Sequence, residues 1–250
     1  MLEMPVPRCL FALLCCCLSL PLLASEQLTL VAEDDWAPYA SVQHGQAYGM
    51  AVDIVRAAYL AVGVTVRFRS MPYARCMKLV EVGREVGCFN SLKDSTTLQH
   101  FAFGKQPLFT ATIAIYSHQP ESGITVAGLA GKRVGLTNGY TYGSEVEQDS
   151  RMLKDKAVSD LASLRKLVAG RLDYALVYTR VADQLQREYG HELSGRLFRV
   201  GTVIENPLFV SFSRHNLRSE SARFQLDRGL QRLQQSGQYQ QILQQWQAAP

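Results

Sequence analysis

Short apolar runs and helical faces take turns along the chain. Residues 28–32 form a β-type run, after which Ala51, Ile54, Val55 and Ala58 recur at i, i+3, i+4 and i+7, one face of a helix. Residues 64–68 alternate apolar and polar as a half-buried strand does. Pro72 opens a helix over 73–82 that Gly83 stops, and a short strand follows at 86–90. A long β-like run at 110–116 leads to Gly123, and the series then starts afresh with strand 133–137, helix 159–169, strand 172–177 and helix 180–189. A further β-rich run at 208–213 precedes two terminal helices, the first with Leu226, Leu230 and Leu233 inward and the second with Tyr239, Ile242, Leu243 and Trp246. Gln231, Gln234, Gln235 and Gln241 are spaced as the solvated face of those helices. Strand alternating with helix predicts an α/β fold with a mainly parallel sheet. Two such units, joined by β runs near 110 and 205, predict two lobes with a cleft that takes something small.

The first 25 residues read differently. Arg8 precedes an apolar stretch, residues 10–23, too short to span a bilayer comfortably and ending in Ala24 and Ser25, which predicts a cleaved secretory signal over 1–25. Cys15, Cys16 and Cys17 invite a lipoprotein reading, but Leu14 stands where a lipobox wants a small residue. No other stretch approaches 18 apolar residues, so the chain from Glu26 onward is expected to be soluble and exported to the periplasm.

With 250 residues, 47% of them apolar and 19% charged, the chain can bury a real core, which excludes wholesale disorder. Its 26 Lys and Arg outnumber 22 Asp and Glu by a net +4 spread along the length, without the basic block of a nucleic-acid module. Loss of the signal removes Cys9 with the cysteine cluster and leaves Cys76 and Cys88 in a compartment where disulfides persist. They form one candidate bridge, two buried free thiols being the alternative. His44, His100, His118, His191 and His215 are scattered without ligand-pair spacing, so no metal and no cofactor are expected.

Four segments, in order, carry a resemblance: Glu33-Asp34-Asp35-Trp36-Ala37-Pro38-Tyr39, Gly49-Met50-Ala51-Val52-Asp53-Ile54, Gly128-Leu129-Ala130-Gly131-Lys132-Arg133-Val134-Gly135 and Gly170-Arg171-Leu172-Asp173-Tyr174-Ala175. Over residues 26–250 the chain resembles the periplasmic solute-binding family 3, the amino-acid-type receptors of ABC importers. The resemblance implies a two-lobe type II periplasmic binding protein fold with two hinge crossings. Lobe 1 would comprise 26–112 completed by 205–250 with the C-terminal helices, and lobe 2 would comprise 113–204. Relatives that bind free amino acids hold the carboxylate with an Arg and the ammonium with an Asp. Here the first position falls on Leu98 or Thr97 and the second on Tyr178, none of which can replace those charges. An ordinary amino acid in the ordinary pose is therefore not expected, and free glutamate, arginine or histidine should bind no better than millimolar. The cleft-facing positions are Trp36, Tyr39, Tyr73, Arg75, Asn90, Ser91, Tyr140, Thr141 and Tyr178, with Tyr140 and Thr141 opening a lobe 2 helix. Aromatic walls suit a flat, organic or cationic ligand, whereas Arg75 and the amides around Gly139 suit an anion.

Enzyme readings fare less well. Gly131-Lys132 lacks the first Gly and the Ser or Thr of a phosphate loop, and Ser163-Leu164-Arg165-Lys166 has no partner motif. Glu33, Asp34 and Asp35 admit acid–base work of the dehydratase kind known on this fold, though solvated loop charge explains them better. The expectation is a monomeric, non-enzymatic, exported binding protein that hands a small polar or aromatic solute to an ABC importer or a membrane receptor, the alternative being an exported enzyme.

Overall fold

The structure, a computed structural model, describes residues 26–248. The expected export signal at 1–25, with its four cysteines, lies outside the described residues. The chain begins with β1 (Glu26–Glu33), a small antiparallel sheet of β2 (Asp35–Trp36), β3 (Ala40–Gln43) and β4 (Gln46–Tyr48), and α1 (Met50–Leu60). It continues through β5 (Val64–Met71), α2 (Tyr73–Glu81), β6 (Gly87–Leu92), the single turn α3 (Thr97–His100) and β7 (Phe101–Phe103). The long β8 (Phe109–Ser117) leads to β9 (Arg133–Thr137), α4 (Ser144–Gln148), β10 (Leu153–Ala157), α5 (Asp160–Val168), β11 (Tyr174–Tyr178), α6 (Thr179–Glu188) and α7 (Gly190–Leu193). The 16-residue β12 (Phe198–Ser213) returns, and α8 (Ser219–Gln235) and α9 (Gln238–Ala248) close the chain.

Parallel strands β5, β1 and β6 make one lobe and β10, β9 and β11 the other, with β8 and β12 running antiparallel between them. The order is β10-β9-β11-β8-β12-β6-β1-β5, with β7 also on β12. Because β12 pairs with β8 up to Leu208 and with β6 from Leu208 onward, backbone hydrogen bonding is continuous from one lobe to the other. The points at which residues 112 and 204 were expected to divide the chain lie inside β8 and β12.

The apolar spacing explains the packing. Ala51, Ile54, Val55 and Ala58 are all fully buried, and each large side chain so buried contributes about 1.5–3 kcal/mol. α8 lies against this helix at Gly229, where a Cβ would come within 2.0 Å of the Ala58 carbonyl oxygen. Ser159 caps α5 by accepting from the Ala162 amide at 3.2 Å, a contact of about 1 kcal/mol. Cys76 and Cys88 are bridged, with a Cα–Cα separation of 6.0 Å, and join α2 to β6.

Three features depart from the expectation. β10, Leu-Lys-Asp-Lys-Ala, is an edge strand whose largely polar sequence hides its strand character. The first ten residues of β12 are strand as well, held by pairing to β8 rather than by their own alternation. Tyr140 and Thr141 do not open a helix: they lie in a loop between Gly139 (φ +85°) and Gly143 (φ +90°), both left-handed, and α4 starts only at Ser144. No helix among the described residues is long and apolar enough to cross a membrane.

Candidate functional site

The chain leaves the carboxyl ends of several strands at one place. Glu33 ends β1, Trp36 ends β2, Tyr73 opens α2 after β5, Asn90 and Leu92 close β6, Tyr140 and Thr141 follow β9, and Tyr178 ends β11. These eight residues, from both lobes, surround a cavity of about 10 Å³, room for a single water. Crevices outside the carboxyl ends of parallel strands are where α/β sheets bind ligands.

Rings from the two lobes fill the seam. Tyr178 meets Trp36 edge to face at 4.9 Å, and Tyr140 meets Tyr73 likewise at 5.1 Å. Behind them Trp36 leans on Tyr39 at 4.5 Å, and Tyr39 stacks on Phe109 at 4.8 Å. The Tyr140 hydroxyl donates a short hydrogen bond to Glu33 Oε1, joining the lobes directly. A second tie runs at the other edge, where Arg180 of α6 donates to the Trp246 carbonyl at 2.6 Å and lies 5.6 Å from the Tyr39 ring centre. The Trp246 indole in turn donates to Asp53 Oδ2 at 2.9 Å. The backbones of the two lobes pack tightly at Gly139, where an added Cβ would sit 2.8 Å from the Ala74 Cβ.

Asn90 owes its orientation to a β-bulge. Ser91 pairs with Phe209 and Phe89 with Val210, so Asn90 has no partner on β12, and its φ of +75° is left-handed. Bulges beside functional sites re-aim a side chain in this way. The Asn90 side chain is 7% exposed, and its Nδ2 and Oδ1 find no hydrogen bond among the described residues. The Trp36 indole nitrogen, on a residue 1% exposed, also lacks one. Buried amide and indole groups without partners cost free energy that a hydrogen-bonding guest recovers.

The electrostatics are one-signed. Burial holds the Glu33 carboxyl well above the usual carboxylate range; the Tyr140 hydrogen bond opposes this, while Asp160, Asp35 and Asp34 add to it. Burial likewise pushes Asp160, the first residue of α5, up to about 7 against the pull of its hydrogen bond from Thr137. Tyr73, Tyr140 and Tyr178 are driven above the ordinary phenol range, chiefly by burial, and stay neutral. A wider pocket of about 370 Å³ adjoins the cavity through Glu33, Tyr73 and Tyr140 and is edged by Asp34 and Asp35.

Six of the expected residues, Trp36, Tyr73, Asn90, Tyr140, Thr141 and Tyr178, line the cavity. Tyr39 sits behind Trp36, and Ser91 Oγ accepts from the Tyr73 hydroxyl at 2.8 Å. Arg75 does not line it: two positions after Tyr73 on α2, about 200° round the helix, it is exposed. Glu33, expected as solvated loop charge, is instead 5% exposed in the cavity wall, whereas Asp35 is exposed as expected. Neither position of the expected carboxylate clamp reaches the cavity. Leu98 is 43% exposed, and Thr97 donates its hydroxyl to the Leu92 carbonyl at 2.7 Å. No group of three or more His, Cys, Asp or Glu among the described residues is placed to hold a metal.

Residues 28–249 match the model of the bacterial extracellular solute-binding proteins, family 3. The chain belongs to that family. No curated protein sequence matches this family 3 protein. Solved structures do: an ancestral arginine-binding protein bound to arginine is 20% identical, with a TM-score of 0.74 over 88% of this chain and 97% of that one. A histidine kinase sensor domain with similarity to periplasmic binding proteins is 21% identical, with a TM-score of 0.76 over 90% and 97%. The arginine-, lysine-, histidine-binding protein ArtJ from Geobacillus stearothermophilus is 17% identical, with a TM-score of 0.74 over 88% and 95%. At these identities the likeness speaks for the fold, and this family 3 protein has the two-lobe type II periplasmic binding protein fold. Its role is solute binding.

Proposed function

We propose that this protein captures a small polar or aromatic solute between its lobes in the periplasm and delivers it, as a monomer, to the membrane subunits of an ABC importer or to a membrane receptor. The observation that carries this reading is a cavity walled by both lobes, in which Asn90 and the Trp36 indole are buried without hydrogen-bond partners. Lobe 1 is 26–112 with 205–250, lobe 2 is 113–204, and the hinge is the β8–β12 pair. A guest that bonds to groups of both lobes favours the closed arrangement by its differential affinity for it, and the closed form is what a membrane partner distinguishes. Trp36, Tyr73, Asn90, Tyr140, Thr141 and Tyr178 contact the guest, while Tyr39 and Ser91 position them.

The solved structures leave both outputs open, since some are substrate-binding proteins of amino acid ABC transporters and another is a histidine kinase sensor domain. Binding without turnover is the reading the family supports. The exported-enzyme alternative draws on the buried carboxyls of Glu33 and Asp160, both held above the usual range mainly by burial. A thermal-shift screen of amines, organic acids, amides, peptides and aromatic metabolites, with each bound compound recovered and weighed, tests the choice. Recovery of an unchanged ligand is the expected result, and chemical turnover would overturn it. Glutamate, arginine and histidine are expected to bind no better than about millimolar, some 4 kcal/mol, and micromolar calorimetric affinity for any of them would show that the zwitterion clamp has a replacement.

A further inference from the structure

We propose that the guest is a small organic cation with no carboxylate of its own, an alkyl- or aralkylammonium, whose head group takes Glu33 as counter-ion in the cavity beside the rings of Trp36, Tyr73 and Tyr178 and whose tail lies in the adjoining pocket of about 370 Å³. This rests on reading the cavity as a solute site and names the chemistry that it accepts. Three independent features lead to it.

The first is charge. Neither the cavity nor the adjoining 370 Å³ pocket has a basic side chain in its lining, while Glu33 faces both and Asp34 and Asp35 stand at the entrance. A carboxylate guest would meet three acids and no guanidinium or ammonium, so like-charge repulsion and desolvation both act against it. The second is the bulge at Asn90, which presents an unpartnered, buried carbonyl oxygen toward the same space. An ammonium N–H supplies the donor that this oxygen lacks, while Asn90 Nδ2 and the Trp36 indole N–H, which an ammonium cannot satisfy, are left to water held beside the guest. The third is the ring set: a cation over the faces of Trp and Tyr gains about 0.5–2 kcal/mol, most when water is excluded, as at this seam.

The proton inventory gives the proposal its own signature. The titratable groups facing Glu33 are the hydroxyls of Tyr140 and Tyr73 and the carboxyls of Asp160, Asp34 and Asp35, with no base among them. Burial favours the protonated carboxyl in the closed protein. An arriving cation favours the carboxylate, so binding expels a proton, and affinity for the cation rises with pH until Glu33 is ionised beforehand. A neutral guest produces no such dependence.

The test uses two matched series on the exported chain: butylammonium, butyramide and butyrate, then benzylammonium, benzamide and benzoate. Calorimetry in buffers of differing ionisation enthalpy reads affinity and proton release together. The expected result is binding of the ammonium member of a series, release of up to one proton per guest, and affinity that climbs with pH. Glu33→Gln, which keeps a hydrogen-bond acceptor for Tyr140, is expected to weaken the cation by about 100-fold and to abolish proton release, with the fold checked by circular dichroism. Should an amide or carboxylate bind as well as its ammonium counterpart, the cation assignment is wrong and the solute-binding reading stands. Absence of binding by every member of both series would likewise overturn the cation assignment, while the solute-binding reading falls only if the wider thermal-shift screen finds no ligand.

Discussion

The two walls of the cavity are made in opposite ways. The lobe 1 wall comes from regular elements: the end of β1, the bulge in β6 and the first turn of α2, with Cys76–Cys88 tying the last two together. The lobe 2 wall combines Tyr178, at the end of β11, with a loop of no regular structure, residues 139–143, between two left-handed glycines. Both bury aromatic rings at the same seam, yet the first is fixed by backbone pairing and a covalent bridge, whereas in the second only Tyr178 has strand pairing and Tyr140 sits in the irregular loop. Chemistry that must be placed accurately, the Glu33 carboxyl and the Asn90 amide, is on the first wall. The hydroxyl that reaches across to Glu33, that of Tyr140, is on the second.

That contrast can be broken experimentally. The largest effect expected belongs to lobe 2, where burial raises the Asp160 carboxyl from its ordinary 3.8 to about 7. The folded state then holds a proton that the unfolded chain has already released, so stability falls as pH climbs between those two values. Thermal melts should be highest near the acidic end of that window, and Asp160→Asn should flatten the profile; an unchanged slope would show that Asp160 is hydrated. Next comes the bridge. Replacing Cys76 and Cys88 together with Ala is expected to cost about 3 kcal/mol in urea melts and to loosen Asn90 and Tyr73 in hydrogen exchange. A wall as protected without the bridge as with it would make backbone pairing the sole source of its rigidity.

A smaller effect is expected at the loop. Gly139→Ala brings a Cβ within 2.8 Å of the Ala74 Cβ at a φ of +85°, a strain of about 1–2 kcal/mol that parting the lobes partly relieves. Small-angle scattering should report a larger radius of gyration, and an unaltered one would mean that α2 yields instead. Smallest is Tyr140→Phe, which removes one hydrogen bond to Glu33 and should lower stability by about 1 kcal/mol while leaving Cys76–Cys88 intact.

Much of the frame was legible. The helical face of α1, the limits of β9 and the extent of α5 follow from local spacing, because a helix or strand with one buried side must repeat its apolar residues. The edge strand β10 was not, since an edge tolerates Lys-Asp-Lys. The aromatic residues of the site and the place of Asn90 could be read, but the burial of Glu33 and the cause of Asn90's orientation could not. Glu33 ends a strand next to two exposed or half-exposed acids, and what buries it is Tyr140, 107 residues away. The orientation of Asn90 depends on the register of β6 against β12, which no local motif encodes. Arg75 failed for a simpler reason: the rotation of α2 that aims Tyr73 inward sends the residue two places on outward.

The chain has two tryptophans, and each touches the opposite lobe. Trp36 lies edge-on to Tyr178, and the Trp246 carbonyl holds Arg180. The Trp246 indole itself rests on Tyr48 and Asp53 of its own lobe, so separation of the halves changes the surroundings of the Trp36 ring most directly. The molecule carries an optical gauge of its own opening, readable in a stopped-flow cell without any dye.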